Sequence, residues 1–277
     1  MKKQFLTILA PVLLACSCNY SVSDISSSDD TDTSSGDDSD TLSVLSSCDI
    51  WEQYEYEQFV FENNQWNSSD AGTDDYFQCI TLTETSTSEF TPSWSWEWPY
   101  GGGSVKAYPE IWYGDKFGTA SPDSDELPEV ISSLEDYNIS FSYSETDIDS
   151  SDARNVAFES WFFPTEDVSF DEVEFEMMVW VNRSDNIYPA GSLVESVTFS
   201  DGTYDLYLDY FDDWTYFAYV RQDYITEGSL NWNEFVNHLV DEGYISSSYY
   251  MSVIEFGTEI IYGSGEFQID HFVVDHE

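Results

Sequence analysis

Short runs in which apolar and polar residues alternate recur along most of this 277-residue chain. The run VEFEMMVWV, Val173 to Val181, is typical. A period of two is the pattern of a strand with two different faces. Asp201-Gly202, between two such runs, is a strong signal for a two-residue hairpin turn. One stretch, 231–245, instead has apolar residues at helical spacing, and Gly243 ends it. The pattern predicts an all-β fold, a two-sheet sandwich with a single helix.

The charge of the chain is strongly one-sided. It carries 55 acidic residues against 7 Lys plus Arg, a formal net charge of −48. Such a field repels nucleic acid and anionic membrane surfaces, which argues against both as partners of the folded domain. Because the acid excess runs through the whole chain, we expect a halophilic protein that works in concentrated salt, where the screening length is about 3 Å. The alternative is a very soluble extracellular protein with an acidic tail.

Residues 1–18 have the features of an export signal. Lys2 and Lys3 precede the apolar stretch FLTILAPVLLA, which is too short to span a membrane as a stable helix. The stretch ends in LLAC, which resembles a bacterial lipobox with Cys16 as the lipidated residue. We therefore expect an extracellular protein, either secreted or a cell-surface lipoprotein whose membrane contact is an N-terminal lipid anchor. Plain secretion with cleavage nearby is the alternative to lipidation.

The next segment and the cysteines indicate where the folded domain begins. Residues 19–47 are mostly Ser, Asp and Thr, with too few apolar side chains to form a core, so we predict a disordered linker. Residues 48–277 then form one folded domain. Cys48 and Cys79 lie near its start. In an exported protein two such cysteines most simply form a disulfide.

Three of the predicted strands carry carboxylates among apolar and aromatic side chains. They are Glu174 and Glu176 in VEFEMMVWV, Glu255 and Glu259 in VIEFGTEII, and Glu159 in NVAFESWFF. Burying a lone charge costs on the order of several kcal/mol unless the group is paired, hydrogen-bonded or protonated. These glutamates are therefore candidates for shifted pKa values.

Glycoside hydrolysis is the chemistry that needs two such carboxyl groups. One must be neutral to protonate the leaving oxygen, and the other must be ionised as nucleophile or base. Aromatic rings supply flat faces on which sugars stack. The segment SWSWEWPYGGG places Trp94, Trp96 and Trp98 on one strand face, and Trp66 follows two asparagines.

The residue pattern leaves alternatives open. In so acidic a chain some glutamates fall on strand faces by chance, and most strand tryptophans belong to a core. The pattern does not choose between Glu174 and Glu176, or between Glu255 and Glu259. The three histidines lie in no Ser/His/Asp or Cys/His signature, and no metal-ligand spacing appears. We therefore expect no metal and no other cofactor.

Several segments occur in an order that resembles one enzyme family. FENNQWN is similar to an Asn-Asn-x-Trp segment near the start of its domain, and QCI to its disulfide strand. SVKAYPEIWYG resembles its Lys-x-Tyr-Pro strand, EMMVWV its Glu-x-Met-x-Trp strand, and EFGTEI its Gly-x-Glu strand. The family is glycoside hydrolase family 12, compact β-jelly-roll endoglucanases, and the resemblance covers roughly residues 48–274.

The resemblance implies roles for individual residues. Glu176 matches the nucleophile and Glu259 the general acid/base. Glu159 falls where the family usually has Asp, a carboxylate close to the nucleophile, and its extra methylene changes the reach of that group. The substrate-binding residues that we predict are Asn64, Trp66, Met178, Trp180, Pro189 in the YPAGS loop, and Trp96 from the aromatic strand.

The resemblance also implies a fold and an activity. The expected fold is a β-jelly-roll sandwich of two antiparallel sheets with one helix and a concave substrate cleft. The expected activity is a monomeric endo-β-1,4-glucanase that acts on cellulose-like or mixed-linkage β-glucan polysaccharides and retains anomeric configuration, with carboxyl groups about 5–5.5 Å apart. The alternatives are a xyloglucan-specific endoglucanase and a non-catalytic carbohydrate-binding sandwich, although binding alone needs neither Glu176 nor Glu259.

Overall fold

The structure is a computed structural model that describes residues 43–85, 90–101, 103–185 and 187–276. The predicted export signal, with Cys16, and residues 19–42 of the predicted linker lie outside these ranges. The strands are β1 (Val44–Ser47), β2 (Gln53–Tyr56), β3 (Phe59–Glu62), β4 (Phe77–Glu84), β5 (Phe90–Trp98), β6 (Glu110–Lys116), β7 (Thr119–Ala120), β8 (Glu129–Val130), β9 (Tyr137–Thr146), β10 (Ala153–Phe163), β11 (Phe175–Arg183), β12 (Ser192–Thr198), β13 (Thr203–Tyr210), β14 (Thr215–Arg221), β15 (Glu227–Asn231), β16 (Tyr250–Met251), β17 (Val253–Gly257) and β18 (Ile260–His276).

Two sheets make up the domain, as predicted. The first has the order β1-β4-β5-β18-β9-β15, and all of its neighbours are antiparallel. The second has the order β2-β3-β6-β17-β10-β11-β14-β13-β12, and it is antiparallel except where β11 pairs with β14. β10 also pairs with β18 at its first residues, so the sheets are joined there.

The helix and the hairpin signals are both confirmed. α1 (Trp232–Asp241) begins after Asn231, whose side chain accepts a hydrogen bond from the backbone N of Glu234 at 3.3 Å. Gly243 follows the helix with a φ of +77°, a conformation that L side chains rarely adopt. β12 and β13 form the predicted hairpin. However, the backbone N of Phe199 donates to the carbonyl of Gly202 at 2.9 Å, so the central turn residues are Ser200 and Asp201 and not Asp201-Gly202. Within the described residues, no helix is long and apolar enough to cross a membrane.

The linker prediction is wrong at its C-terminal end. Val44–Ser47 form a strand that pairs with β4, with Leu45 opposite Leu82, so their backbone groups gain partners that a disordered segment lacks. Cys48 follows at once, and it is disulfide-bonded to Cys79 of β4, as predicted. The bond fixes the chain beside β4 and favours this additional edge strand.

Alternation along the strands separates a core face from an outer face. On β11, Met177, Val179 and Val181 belong to the main core between the sheets, whereas Met178 and Trp180 belong to a separate cluster on the other face. β10 alternates in the same way. We refer to the outer face of the second sheet as the carboxylate face. It carries Glu62, Glu110, Asn155, Glu159, Glu176, Met178, Trp180 and Glu255.

Trp96 does not lie on this face, and its predicted role in substrate binding is wrong. Trp94, Trp96 and Trp98 do share one face of β5, but β5 belongs to the first sheet and this face packs into the core. The Trp96 side chain is 1% exposed, so no sugar reaches its ring. The period of two placed the three indoles together correctly, but it does not say which side of a strand faces the core.

Candidate active site

Glu176 lies on the carboxylate face of β11, next to Met178 and Trp180, as the alternation of VEFEMMVWV predicts. Its side chain is buried, whereas Glu174 precedes the strand and is exposed. Burial therefore separates two glutamates that the sequence pattern leaves equivalent. Only a carboxyl removed from water is subject to a large desolvation effect on its pKa.

A tryptophan from a neighbouring hairpin holds the Glu176 carboxyl. Trp214, in the turn between β13 and β14, donates its indole N–H to Glu176 Oε2 at 2.6 Å. The indole packs edge to face against Trp161 and Phe170, with ring centroids 5.8 and 5.9 Å away. Burial raises the pKa of Glu176, the negative charge of Glu259 raises it further, and the Trp214 hydrogen bond opposes both effects.

Glu259 follows β17, and Asn155 of β10 positions it. The Asn155 side-chain amide donates a hydrogen bond to Glu259 Oε2. The backbone N of Glu259 donates to Asn155 Oδ1 at 3.3 Å, and the backbone N of Asn155 donates to the carbonyl of Glu259 at 3.1 Å. Burial raises the pKa of Glu259 to about 7, with the Asn155 hydrogen bond acting in the opposite direction.

The electrostatic interaction between Glu176 and Glu259 suits glycoside hydrolysis. Because the pKa of Glu259 is about 7, this carboxyl is protonated in acidic solution and about half protonated at neutral pH. Protonation of Glu259 removes the negative charge that raises the pKa of Glu176, so Glu176 then ionises more readily. The coupling therefore favours a pair that holds one proton. The higher pKa, about 8, belongs to Glu176 in the unliganded protein, whereas the first step of a double displacement needs the proton on Glu259.

Glu159 lies beside this pair. Its backbone is opposite Met178 of β11 on one side and Glu255 of β17 on the other. Burial and the charges of Glu255 and Glu176 raise its pKa well above the usual glutamate range, with Lys116 opposing them. The structure therefore brings all three predicted carboxyl groups to one region.

The predicted sugar-binding residues differ in exposure. Trp66 is 54% exposed, so its ring is available for stacking. Its backbone N donates to Asn64 Oδ1 at 3.1 Å, and the Asn64 amide donates to Glu110 Oε1 at 2.8 Å. The other residues, Met178, Trp180 and Pro189, are buried. The sulfur of Met178 accepts hydrogen bonds from Trp180 Nε1 at 3.4 Å and from the hydroxyl of Tyr216 at 3.3 Å.

Three residues of the site were not predicted from the sequence. Asn155 begins the run NVAFESWFF in phase with Glu159, and Lys116 follows Glu110 in phase on β6, so alternation could have found both. Trp214 lies in a turn and has no periodic signal. Its distance of 38 residues from Glu176 in sequence hides a contact that only the packing of the β13–β14 hairpin creates.

Comparison with known proteins identifies the family. Residues 57–277 match the family model described as Glycosyl hydrolase family 12. The chain belongs to glycosyl hydrolase family 12. Family 12 relatives include endoglucanase S of Pectobacterium parmentieri, 29% identical over 195 residues, which cover 68% of this chain and 72% of that protein. The xyloglucan-specific endo-β-1,4-glucanase A of Aspergillus niger is 28% identical over 83% of this chain and 90% of that protein.

A solved structure of the same family supports the fold. The family 12 xyloglucanase from Bacillus licheniformis in complex with ligand superposes with a TM-score of 0.74 at 28% sequence identity. The match covers 84% of this chain and 100% of that one. The family 12 β-jelly-roll architecture therefore describes most of the chain, and the fold expectation is confirmed.

Proposed function

We propose that this family 12 protein is an endo-acting, retaining β-1,4-glucanase in which Glu176 is the nucleophile and Glu259 the general acid/base. The class of enzyme, a glycoside hydrolase that cleaves β-1,4-glucans, follows from the family and its endoglucanase members. The observation that supports the residue roles is the proximity of the two carboxyl groups, with Glu176 bound by Trp214 and Glu259 bound by Asn155. The charge of Glu259 raises the pKa of Glu176, so the two groups together favour holding one proton.

The contacts suggest how the two carboxyls divide the reaction. Ionised Glu176 attacks the anomeric carbon while the bond from that carbon to the glycosidic oxygen breaks, and protonated Glu259 gives its proton to the departing oxygen. The leaving sugar departs as an alcohol, and a glycosyl-enzyme remains. Glu259 then takes a proton from water, and that water releases the sugar from Glu176. Because Trp214 occupies Oε2 of Glu176, the other oxygen, Oε1, is the attacking atom.

Cellulose-like and mixed-linkage glucans are the first substrate candidates. Trp66 offers an exposed ring for a sugar, and Asn64 lies next to it as a polar partner. Xyloglucan is the second candidate. Two relatives at 28% identity, from Aspergillus niger and Bacillus licheniformis, are named as a xyloglucan-specific endoglucanase and a xyloglucanase.

The first prediction is that Glu176→Gln and Glu259→Gln each lose most activity while remaining folded. The isosteric amide cannot attack the anomeric carbon, and it cannot donate or accept the catalytic proton. We would measure release of reducing sugar from carboxymethylcellulose, barley β-glucan and xyloglucan in molar salt. Circular dichroism would verify the fold.

Glu174→Gln is the matched control, since Glu174 is exposed two residues before Glu176. It should retain wild-type turnover on the preferred glucan. Near-normal turnover in Glu176→Gln or Glu259→Gln would contradict the assigned roles. No release from any glucan by the folded wild-type protein would instead favour a non-catalytic carbohydrate-binding sandwich.

We also propose that the protein is exported and that Cys16 carries a lipid anchor. The basic start, the short apolar stretch and LLAC support this proposal. Expression of the full chain with Cys16→Ser in a bacterial host tests it. Membrane-associated wild-type protein and soluble variant would support the anchor, and equal partitioning would indicate plain secretion.

A further inference from the structure

A buried lysine lies among three glutamates on the carboxylate face. Lys116 Nζ is 2.6 Å from Glu110 Oε1, 2.9 Å from Glu255 Oε2 and 3.9 Å from Glu62 Oε2. The lysine side chain is 10% exposed, and the three glutamates are less exposed still. We call these four residues the Lys116 cluster. Gly114, with a φ of +113°, departs from extended geometry between Glu110 and Lys116, and the lysine side chain reaches back to Glu110.

The charges of the Lys116 cluster do not balance unless some carboxyls hold protons. Burial, the charge of Glu255 and a hydrogen bond with Glu255 raise the pKa of Glu110 well above its usual range. Burial raises the pKa of Glu62 to about 7. Glu110 Oε2 and Glu255 Oε1 are buried and have no donor within the described ranges. A proton on Glu110 gives this carboxyl a hydrogen to donate to Glu255, and that hydrogen bond is one of the causes of the raised pKa of Glu110.

The Lys116 cluster connects the two ends of the proposed active site. On one side, the Asn64 amide donates to the same Glu110 oxygen that Lys116 binds. On the other, Glu255 lies opposite Glu159 in the register of β17 and β10. The charge of Glu176 in turn acts on Glu159. The lysine is therefore linked through Glu110 to a predicted sugar-binding residue, Asn64, and through Glu255 to the strand position of Glu159.

We propose that Lys116 is a positioning residue for the hydrolysis and acts on the nucleophile through Glu255 and Glu159. Lys116 also fixes the Glu110 oxygen to which the Asn64 amide is bonded. The lysine touches neither the sugar nor the reacting atoms in this role. This inference rests on the proposed roles of Glu176 and Glu259.

The direction of the effect follows from the charges around Glu159. The ionisable groups that face it or the Lys116 cluster are Glu62 from β3, Tyr108 before β6, Glu110 and Lys116 from β6, Glu255 and Glu259 from β17 and its C-terminal link, Glu176 from β11 and Tyr216 from β14. Lys116 is the one cation in this group. Removing it leaves more negative charge near the nucleophile, which favours the protonated, inactive form of Glu176.

The experiment measures the pH dependence of kcat/KM for Lys116→Met and Glu255→Gln on the preferred glucan. In Lys116→Met the acidic limb of the profile should move up by roughly one pH unit, with about a tenfold loss of kcat/KM on that limb. In Glu255→Gln a negative neighbour is removed, so the limb should move down. Lys116→Arg keeps the charge and should restore the wild-type limb in part.

A destabilised fold alone cannot produce opposite shifts in the two variants. Arg221→Met is the matched control, because Arg221 is also a buried cation bound to a carboxylate, Asp201, but contacts no glutamate of the site. It should lower the Tm and leave the pH profile unchanged. If Lys116→Met does not fold, Glu255→Gln still provides the test.

Unmoved profiles in Lys116→Met and Glu255→Gln, or shifts of the same sign, would overturn the role of Lys116. They would leave the proposed function intact as long as wild-type protein cleaves glucan and Glu176→Gln does not. Full activity in Glu176→Gln would overturn the proposed function itself, whatever the lysine variants show.

Discussion

At the scale of single residues, each proposed catalytic carboxyl depends on one donor from another strand or turn. Trp214 holds Glu176, and Asn155 holds Glu259. Hydrogen bonds to an ionised carboxylate are worth about 1.5–3 kcal/mol, which is enough to move a pKa by one unit or more. The two donors therefore determine how far the rise in pKa caused by burial is offset at each glutamate.

Trp214→Phe tests this at Glu176. Phenylalanine keeps an aromatic ring against Trp161 but removes the N–H, so the pKa of Glu176 should rise further. The nucleophile then ionises at higher pH, and the acidic limb of the kcat/KM profile should move up by roughly one unit. The pH profile on soluble β-glucan measures this shift, and Phe211→Leu, which alters the same aromatic group without touching Glu176, is the control. An unshifted limb in Trp214→Phe would show that its hydrogen bond does not tune the nucleophile.

At the scale of elements, alternation decides which side chains share a face, and sheet order decides which faces meet. β10 lies between β17 and β11, so Glu159, Glu255 and Met178 become neighbours although they are far apart in sequence. β1 shows the opposite case, in which the short segment Val44–Ser47 becomes a strand because β4 offers an edge and the adjacent disulfide holds the chain there.

Replacing both Cys48 and Cys79 by Ser should destabilise this edge. The disulfide closes a loop with a sequence separation of 31, for which chain entropy suggests about 3–4 kcal/mol of stabilisation. Guanidinium denaturation of the double variant should show a loss of that order. Activity at room temperature should persist, because neither cysteine contacts the carboxylate face. A loss below about 1 kcal/mol would indicate that native-state contacts already hold β1 in place.

At the scale of the whole molecule, electrostatics oppose folding. The acidic side chains that give the net charge of −48 repel one another. Several buried carboxyls, including Glu62, Glu110 and Glu176, also have raised pKa values. A glutamate with a raised pKa binds more protons in the folded state than in the unfolded state. Its effect on stability is therefore most favourable below the unfolded pKa and becomes unfavourable as the pH rises through the folded value.

We expect the Tm to rise with salt and with mild acid. Adding sodium chloride from dilute buffer to molar concentration screens surface repulsion. Lowering the pH from about 8 to about 6 protonates buried carboxyls such as Glu62 in the folded state. Differential scanning fluorimetry over both ranges measures the two effects. Full stability in dilute buffer would contradict the expectation that the protein is adapted to salt. A Tm that rises with pH would contradict the expected link between carboxyl protonation and stability.

Much of the architecture was predictable because the period of apolar residues and the residue types of turns are local properties of the sequence. The strands, the single helix with its Asn231 cap, and the shared face of Glu176, Met178 and Trp180 follow from a few residues at a time. The ordered motifs resembled family 12 and pointed to Glu176 and Glu259 before any contact was known. The disulfide was predicted from two cysteines in a chain that we expect to be exported.

The tertiary structure decided which face is the core and which side chains meet. Trp96 lies in the core because β5 belongs to the first sheet and this face packs against the second. Trp214 contacts Glu176 because a hairpin distant in sequence packs beside β11. Lys116 forms ion pairs with three glutamates from three strands. Alternation of apolar and polar residues does not show which face of a strand is buried, and it gives no information about which other strands lie next to it. Burial, and with it every shifted pKa, depends on neighbours that the strand order supplies.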